Sequence, residues 1–459
     1  MFGDYKIVLG YAPTRRDRFF DNKYALANKT SIDARVKDIA SKIGNIEIVD
    51  IDWLNEDGML VETEDVAKVA RHFKNAGVDA LFMPHMNFGQ ELVVGELGKA
   101  IGKPFLLWGP RDPEPPGDFG PRQTDVSCGL FVSGKALSRY GVPFTYIENC
   151  WLDSPIFEKG FEDFIRAATV AKKFKKLRLG QICLRTRQFT SVIFNESELL
   201  ERFGIEIIPI NSTEFTAKIN DVLSNKKAEI SDLIRDINCS VNTSAIDDEK
   251  LQNIGALELG LMELAKFYNL DAMSAECAVF DKDFGIFPCF AWGDLTDRGL
   301  PVACEADVLG SVSSILLTAA ARGETPNFLA DLTIRHPRNE NSELLWHCGP
   351  FPKSLAKPGS NPSLQLCRGM WELKGGDITV ARFDSIGGKY SIFAGEAKGT
   401  DGPSTYGNYL WMEVDNWAKW ERKLVEGPYV HHVAAIHGKY LHILDEACKY
   451  MGEIRKDFV

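Results

Sequence analysis

The stretch PVACEADVLGSVSSILLTAAARGETPNFLADLTI, residues 301–334, decides how this chain folds. PVACEAD (301–307) reads as a strand running into an acidic turn, residues 308–322 as a helix of small and apolar residues, and NFLADLTI (327–334) as a returning strand. Such a crossover is expected to set its two strands side by side, or one apart, in one sheet. Glu305, at the end of the first strand, and Asp331, within the second, would then face one pocket near the sheet edge, where open α/β sheets hold ligands. The helix start beside Glu305 favours its anionic form. Asp331 lies between Ala330 and Leu332 in an apolar run and needs a partner, because a buried, unpaired carboxylate is costly. The plain alternative makes Glu305 a helix-starting acid and Asp331 a hydrogen-bonded core residue.

The same beat runs upstream. YKIVLGY (5–11), EIVDID (47–52), DALFMP (79–84) and PFLLW (104–108) read as buried parallel strands, with helices near 29–43, 64–76 and 90–101 between them. A second set follows: LRLGQICL (177–184), a helix at 196–203, IEIIPI (205–210), long helices to about 267 and DAMSAECAVF (271–280). After about residue 342 short β-like pieces dominate, closed by a helix from about 438. The fold class is therefore α/β: two open, doubly wound α/β domains, 1–170 and 171–341, followed by a smaller β-rich C-terminal domain, 342–459.

Composition narrows the function. The 459 residues carry a net charge of −11, which argues against a nucleic-acid partner or an anionic membrane. No run of apolar residues is long enough to span a bilayer, and MFGDYKIVLGYAP lacks a signal-peptide layout. The ten cysteines are scattered without a CxxC, so a reduced, cytoplasmic protein is expected. No GxGxxG follows the first strand, and GxxxxGK[ST], GxSxG and HExxH are absent, leaving nucleotide binding and acyl-transfer hydrolysis unsupported.

Four of the eight histidines fall in GPYVHHVAAIHGKYLH (427–442): His431, His432, His437 and His442. Histidine with two carboxylates makes a mixed O/N site suited to Mn²⁺ or a related divalent cation. On an extended strand His431 and His432 point opposite ways, so one of them at most is expected to be a ligand; a polar surface turn is the alternative. His347, in LLWHCGPFP, is a further candidate for the site. Arginines gather in PTRRDRFF (Arg15, Arg16, Arg18) and RTRQF (Arg185, Arg187), both at strand ends, where Arg suits carboxylate, phosphate or sulfonate; surface ion pairs are the competing reading.

Together these residues resemble the L-fucose/L-arabinose isomerase superfamily, in order along the chain. The most specific stretch is CEADVLGSVSSILL followed by ETPNFLAD (304–331), which is similar to a fucose-isomerase pattern carrying two metal-binding carboxylates. Matched residue by residue these are Glu305 and Asp331, with His432 as the third ligand. Ala330 stands where arabinose isomerases have Glu, so the metal set resembles the fucose type. The resemblance implies an aldose–ketose isomerase using Mn²⁺ or another divalent cation, with Glu305 and Asp331 also moving protons through a cis-enediol. It implies a homo-oligomer, a hexamer by the family pattern, in which Arg15, Arg16 or Arg18 and the 85–91 loop with Asn87 grip the sugar in trans; His347 and Arg187 are further substrate candidates. The sugar stays open between a neutral aldose such as L-fucose and a 6-sulfonated hexose such as sulfoquinovose. A non-catalytic sugar sensor and a metal-dependent sugar-acid lyase or epimerase are the competing functions.

Overall fold

The computed structural model describes residues 3–17, 21–115, 117, 120 and 122–459, so Arg18 lies outside the described residues. Two compact units divide the chain: one comprises 5–172 with 446–450, the other 1–4, 173–445 and 451–459.

In the first unit, β1 (Ile7–Tyr11), β2 (Ile46–Val49), β3 (Ala80–Pro84), β4 (Phe105–Trp108) and β5 (Thr145–Tyr146) form a parallel sheet in the order β2-β1-β3-β4-β5. β3 and β4 are buried at every residue because helices cover both faces. Alternation along β3 divides the core: Phe82 meets Phe157 and Phe161 of the helix Pro155–Phe174, while Leu81 and Met83 join Val93 and Leu97 of the helix Glu91–Ile101 on the opposite face. Burying a Phe or Leu in this way stabilises by about 1.5–3 kcal/mol each.

In the second unit, β6 (Arg178–Ile182), β7 (Glu206–Ile210), β8 (Ala272–Ala275) and β9 (Val302–Cys304) make a parallel sheet in the order β7-β6-β8-β9. The chain then enters a nine-stranded sheet of β10 (Asn327–Arg335), β11 (Ser342–His347), β12 (Ser363–Gln365), β13 (Arg368–Glu372), β14 (Asp377–Ile386), β15 (Lys389–Thr400), β16 (Asn408–Glu413), β17 (His432–His437) and β18 (Ile454–Phe458). Six of these close on themselves. Antiparallel pairing runs β10-β11-β16-β15-β14-β17 and back to β10, a barrel without open edges. β15 turns the corner at Lys398, which pairs with both Asp377 of β14 and Glu413 of β16. One residue on, a Cβ at Gly399 would lie 2.6 Å from the Cα of Gly375, so the close approach there requires glycine.

Two expectations are corrected. β9 and β10, the strands flanking the helix Val308–Ala320, lie in different sheets rather than side by side or one apart in one sheet. The reason is in the helix itself, which is buried at every residue from Val308 to Ala320 and so has no solvent face. Ser311 Oγ donates to Met273 O of β8 at 2.7 Å, and Ser313 Oγ accepts from Phe383 N of β14 at 2.8 Å, one contact to each sheet. The helix is thus the layer between a parallel sheet and a barrel. Second, the helix Leu441–Met451 does not close the chain: β18 follows it and pairs parallel to β15.

Candidate active site

Glu305 follows β9 directly, at the carboxyl end of the parallel sheet. Glu305 and Ala306 both have left-handed backbone, with φ of 62° and 54°, a conformation that costs non-glycine residues about 1–3 kcal/mol each. The turn is held by Ala306 N–H donating to Ala275 O at 3.0 Å and Asp307 N–H to Cys304 O at 3.2 Å. Asp307 then caps the helix Val308–Ala320, its Oδ1 accepting from Gly310 N at 2.9 Å. The barrel brings the rest. Asp331 of β10 stands opposite His432 of β17, where β10 changes from buried to exposed.

His432 stands beside both expected carboxylates. His432 Nε2 lies 3.0 Å from Glu305 Oε2 and 3.7 Å from Asp331 Oδ1. His431 joins it, with Nε2 3.8 Å from the same Asp331 oxygen. The strand argument against two convergent histidines does not apply, because β17 begins at His432 and His431 sits in the bend before it. Their ring centroids are 4.3 Å apart.

Behind the trio stands a charged relay. His432 Nδ1 is 2.9 Å from Asp307 Oδ2. Asp307 is fully buried and is gripped by the fully buried Arg382, through a contact to Oδ2 and a 3.1 Å bond from Nη2 to Oδ1, while Arg382 Nε donates to Asp384 at 2.9 Å. Burial alone would raise Asp307, but Arg382 and His432 hold its carboxyl far below the usual range. Nδ1–H therefore donates to an ionised Asp307, and Nε2 is turned toward Glu305 and Asp331.

Ligand atoms of Asp331, His431 and His432 lie within 4.8 Å of one another, a set that could hold a divalent cation, and Glu305 lies beside it. His432 Nε2 and Asp331 Oδ1 are both buried atoms without a hydrogen-bond partner; the Nε2–Glu305 approach is close in distance but lacks hydrogen-bond geometry. Negative charge is also in excess: burial opposes a charged His432, yet Asp307, Glu305 and Asp331 raise it to about 9. Two carboxylates and neutral imidazole nitrogen are donors that bind such an ion and relieve that excess. Burial pushes Glu305 up, but His432 brings it below its ordinary value, so it stays ionised at neutral pH.

The remaining candidates divide. His347 is buried in β11; its Nδ1 accepts from Cys348 N–H at 2.9 Å, which leaves the other ring nitrogen for a proton. Arg187 is exposed on the 183–192 loop, pinned by Thr186 Oγ1 donating to Glu276 at 2.5 Å and by Phe189, whose ring centroid is 6.4 Å from that of His432. Arg15, Arg16 and Asn87 belong to the other unit, where they gather beyond β1 and β3: Asn87 accepts from Arg16 N–H at 2.8 Å and donates back to Arg16 O at 3.0 Å. Arg15 is occupied by Asp17 and Asp57, whereas the Arg16 guanidinium lies over the Phe88 ring at 4.0 Å.

Sequence reasoning missed Asp307, Arg382 and Asp384. A signal existed: two charged residues two apart, on one face of the apolar strand DITVARFDSI, must have a buried partner.

The chain is similar to several known proteins. The fucose/sulfoquinovose isomerase N-terminal domain family matches residues 10–175. Sulfoquinovose isomerases of Priestia aryabhattai and Priestia megaterium are 22% identical over 446 residues, covering 92% of this chain and 98% of theirs. The sulfoquinovose isomerase of Alkalicoccus urumqiensis is 25% identical over 330 residues, 70% of this chain and 72% of its own. Among solved structures, a periplasmic solute-binding protein of Actinobacillus succinogenes with bound D-allose covers 60% of this chain and 79% of its own at 15% identity, with a TM-score of 0.16.

Proposed function

We propose that the chain is an aldose–ketose isomerase of the fucose-isomerase-like superfamily, that its substrate is a 6-sulfonated hexose of the sulfoquinovose kind and that its cofactor is a divalent cation, Mn²⁺ by the superfamily pattern. The observation that carries the metal reading is that His432 Nε2 and Asp331 Oδ1 are buried without a hydrogen-bond partner, with His431 and Glu305 beside them, and the relatives' names support the sulfonated sugar.

A bound divalent cation would be held by Glu305, Asp331 and His432 and would supply Lewis-acid polarisation of the sugar carbonyl. The chain's own residues do the rest. Asp307 and Arg382 fix the His432 tautomer and ring plane, so that Nε2 presents a lone pair. Isomerisation moves a proton between C1 and C2 and another between the two hydroxyl oxygens, through a cis-enediol. Glu305, ionised at neutral pH, is suited to take the carbon-bound proton, and Asp331 to carry the hydroxyl proton, or the reverse. Arg187, on the loop that Phe189 seats against His432, would hold the sulfonate through its planar fork.

On the same reading the protein is a cytoplasmic homo-oligomer, a hexamer by the superfamily pattern, with Arg16 and Asn87 contacting sugar in trans. Its ten cysteines are all free, in keeping with a reducing compartment. Among the described residues no helix is long and apolar enough to cross a membrane.

The test is NMR product analysis with sulfoquinovose and, in parallel, glucose, its 6-hydroxy counterpart. Formation of the sulfonated ketose supports the reading. Two fragments would identify a lyase instead, and binding without turnover a sensor.

A further inference from the structure

Beside the metal centre lies a pair of thiols that the isomerase chemistry does not use. Cys348 follows His347 at the end of β11, and Cys289 is the first residue of the helix Cys289–Asp297. Their sulfurs are 3.4 Å apart, and the Cys348 sulfur is also 3.3 Å from His347 Nδ1. A disulfide needs about 2.05 Å between sulfurs, so the two must approach by a little over an ångström to close the pair. Cys348 is half-buried and reachable by a small oxidant, while Cys289 is only 1% exposed and sits behind it.

We propose that Cys348 and Cys289 are a peroxide-sensitive thiol pair whose reversible disulfide slows the isomerase by changing the surroundings of His347. Cys348 is the attacking thiol. The hydrogen bond from Cys289 holds it well below the usual thiol range against the opposing effect of burial, and the His347 ring and Arg368 act in the same direction. Its thiolate attacks one peroxide oxygen, the O–O bond breaks, and the departing hydroxide takes up the proton the thiol had lost, giving a sulfenic acid and water. Cys289 sulfur then attacks Cys348 sulfur, the S–O bond breaks, and a second water leaves with the Cys289 proton. Two thiols and one peroxide become one disulfide and two waters: both sulfurs are oxidised and both peroxide oxygens reduced. Once in the disulfide, the Cys348 sulfur is no longer an anion, and the His347 ring 3.3 Å away loses that neighbouring charge at the edge of the site.

The disulfide itself does not depend on the proposed sugar; its effect on turnover does rest on the isomerase reading, so the test has two readouts. Reduced full-length protein is treated with hydrogen peroxide, alkylated with iodoacetamide, digested without reductant and mapped by mass spectrometry. A peptide pair joined through Cys289 and Cys348, released by dithiothreitol, is expected. In Cys289→Ser the pair is absent and Cys348 is trapped by dimedone as the sulfenic acid. Recovery of both cysteines alkylated, or a link between Cys277 and Cys304 in its place, overturns the proposal whatever the enzyme turns over. In the second readout, oxidised wild type is expected to lose at least about tenfold in kcat/KM, with dithiothreitol restoring it. A complete Cys289–Cys348 link with unchanged kcat/KM overturns the switch.

Discussion

Asp307 Oδ2 sits 2.9 Å from His432 Nδ1, across 125 residues of chain and from the far side of the ring relative to Glu305 and Asp331. That bond makes the trio a directed site, because it decides which nitrogen of His432 faces the two carboxylates. Partners of this kind are worth about 10–100-fold in metal affinity. Asp307→Asn should therefore weaken Mn²⁺ binding by about 10–100-fold in titration calorimetry. A merely structural Asp307 would lower the melting temperature and leave the Mn²⁺ affinity of the folded protein unchanged.

Gly310 tests the same relay without altering any charge. A Cβ there would lie 2.6 Å from Asp307 Oδ2 and 3.3 Å from Arg382 Nη1. Alanine ordinarily favours a helix interior over glycine by about 1 kcal/mol, so propensity alone would raise the melting temperature of Gly310→Ala. The collision is expected to win: overpacking a rigid, charged cluster costs about 1–3 kcal/mol. Calorimetry should show a lower melting temperature together with weaker Mn²⁺ binding; a stabilised protein with native affinity would contradict the relay.

Arg187 makes no ion pair among the described residues and sits on the loop seated against His432. A hydrogen bond to a charged group is worth about 1.5–3 kcal/mol, roughly 10–100-fold. Arg187→Ala should raise KM for sulfoquinovose by about that factor and leave KM for a neutral hexose unchanged. Equal losses on both sugars would remove Arg187 from sulfonate recognition.

Glu343 gives a pH dependence outside the site. It is 5% exposed, and its Oε2 has no hydrogen-bond partner. Burial raises its pKa to about 7, Arg335 opposing and Glu421 adding to the rise. A carboxyl raised above its unfolded value contributes stability that is fully present below the ordinary 4.5 and lost as pH rises through about 7. The melting temperature should fall on this account between about pH 5 and about pH 8, and Glu343→Gln should flatten that fall. A wild-type and variant pair with parallel pH profiles would contradict it.

What the sequence revealed and what it hid have physical causes. The strands of the first sheet were legible because burial on both faces leaves near-continuous apolar runs, as in DALFMP and PFLLW. Glu305 and Asp331 stood out as an acid at a strand end and a lone acid in an apolar strand, while only the superfamily resemblance singled out His432 from the histidine cluster. The separation of β9 from β10 was not, since the crossover rule applies within one sheet and nothing local marks a helix that divides two. Its serines were the clue: Ser311 and Ser313 satisfy their hydroxyls on opposite layers. Arg382 escaped notice because its partner Asp307 is 75 residues away, and strand periodicity cannot identify a partner at that distance.

The most direct test of the metal-centred account is turnover of sulfoquinovose by the EDTA-treated protein before and after Mn²⁺ is restored. The account predicts that ketose formation disappears with the metal, returns on adding Mn²⁺, and does not return in Asp331→Asn, whose fold is checked by circular dichroism. Full turnover by protein shown to be free of metal would contradict it.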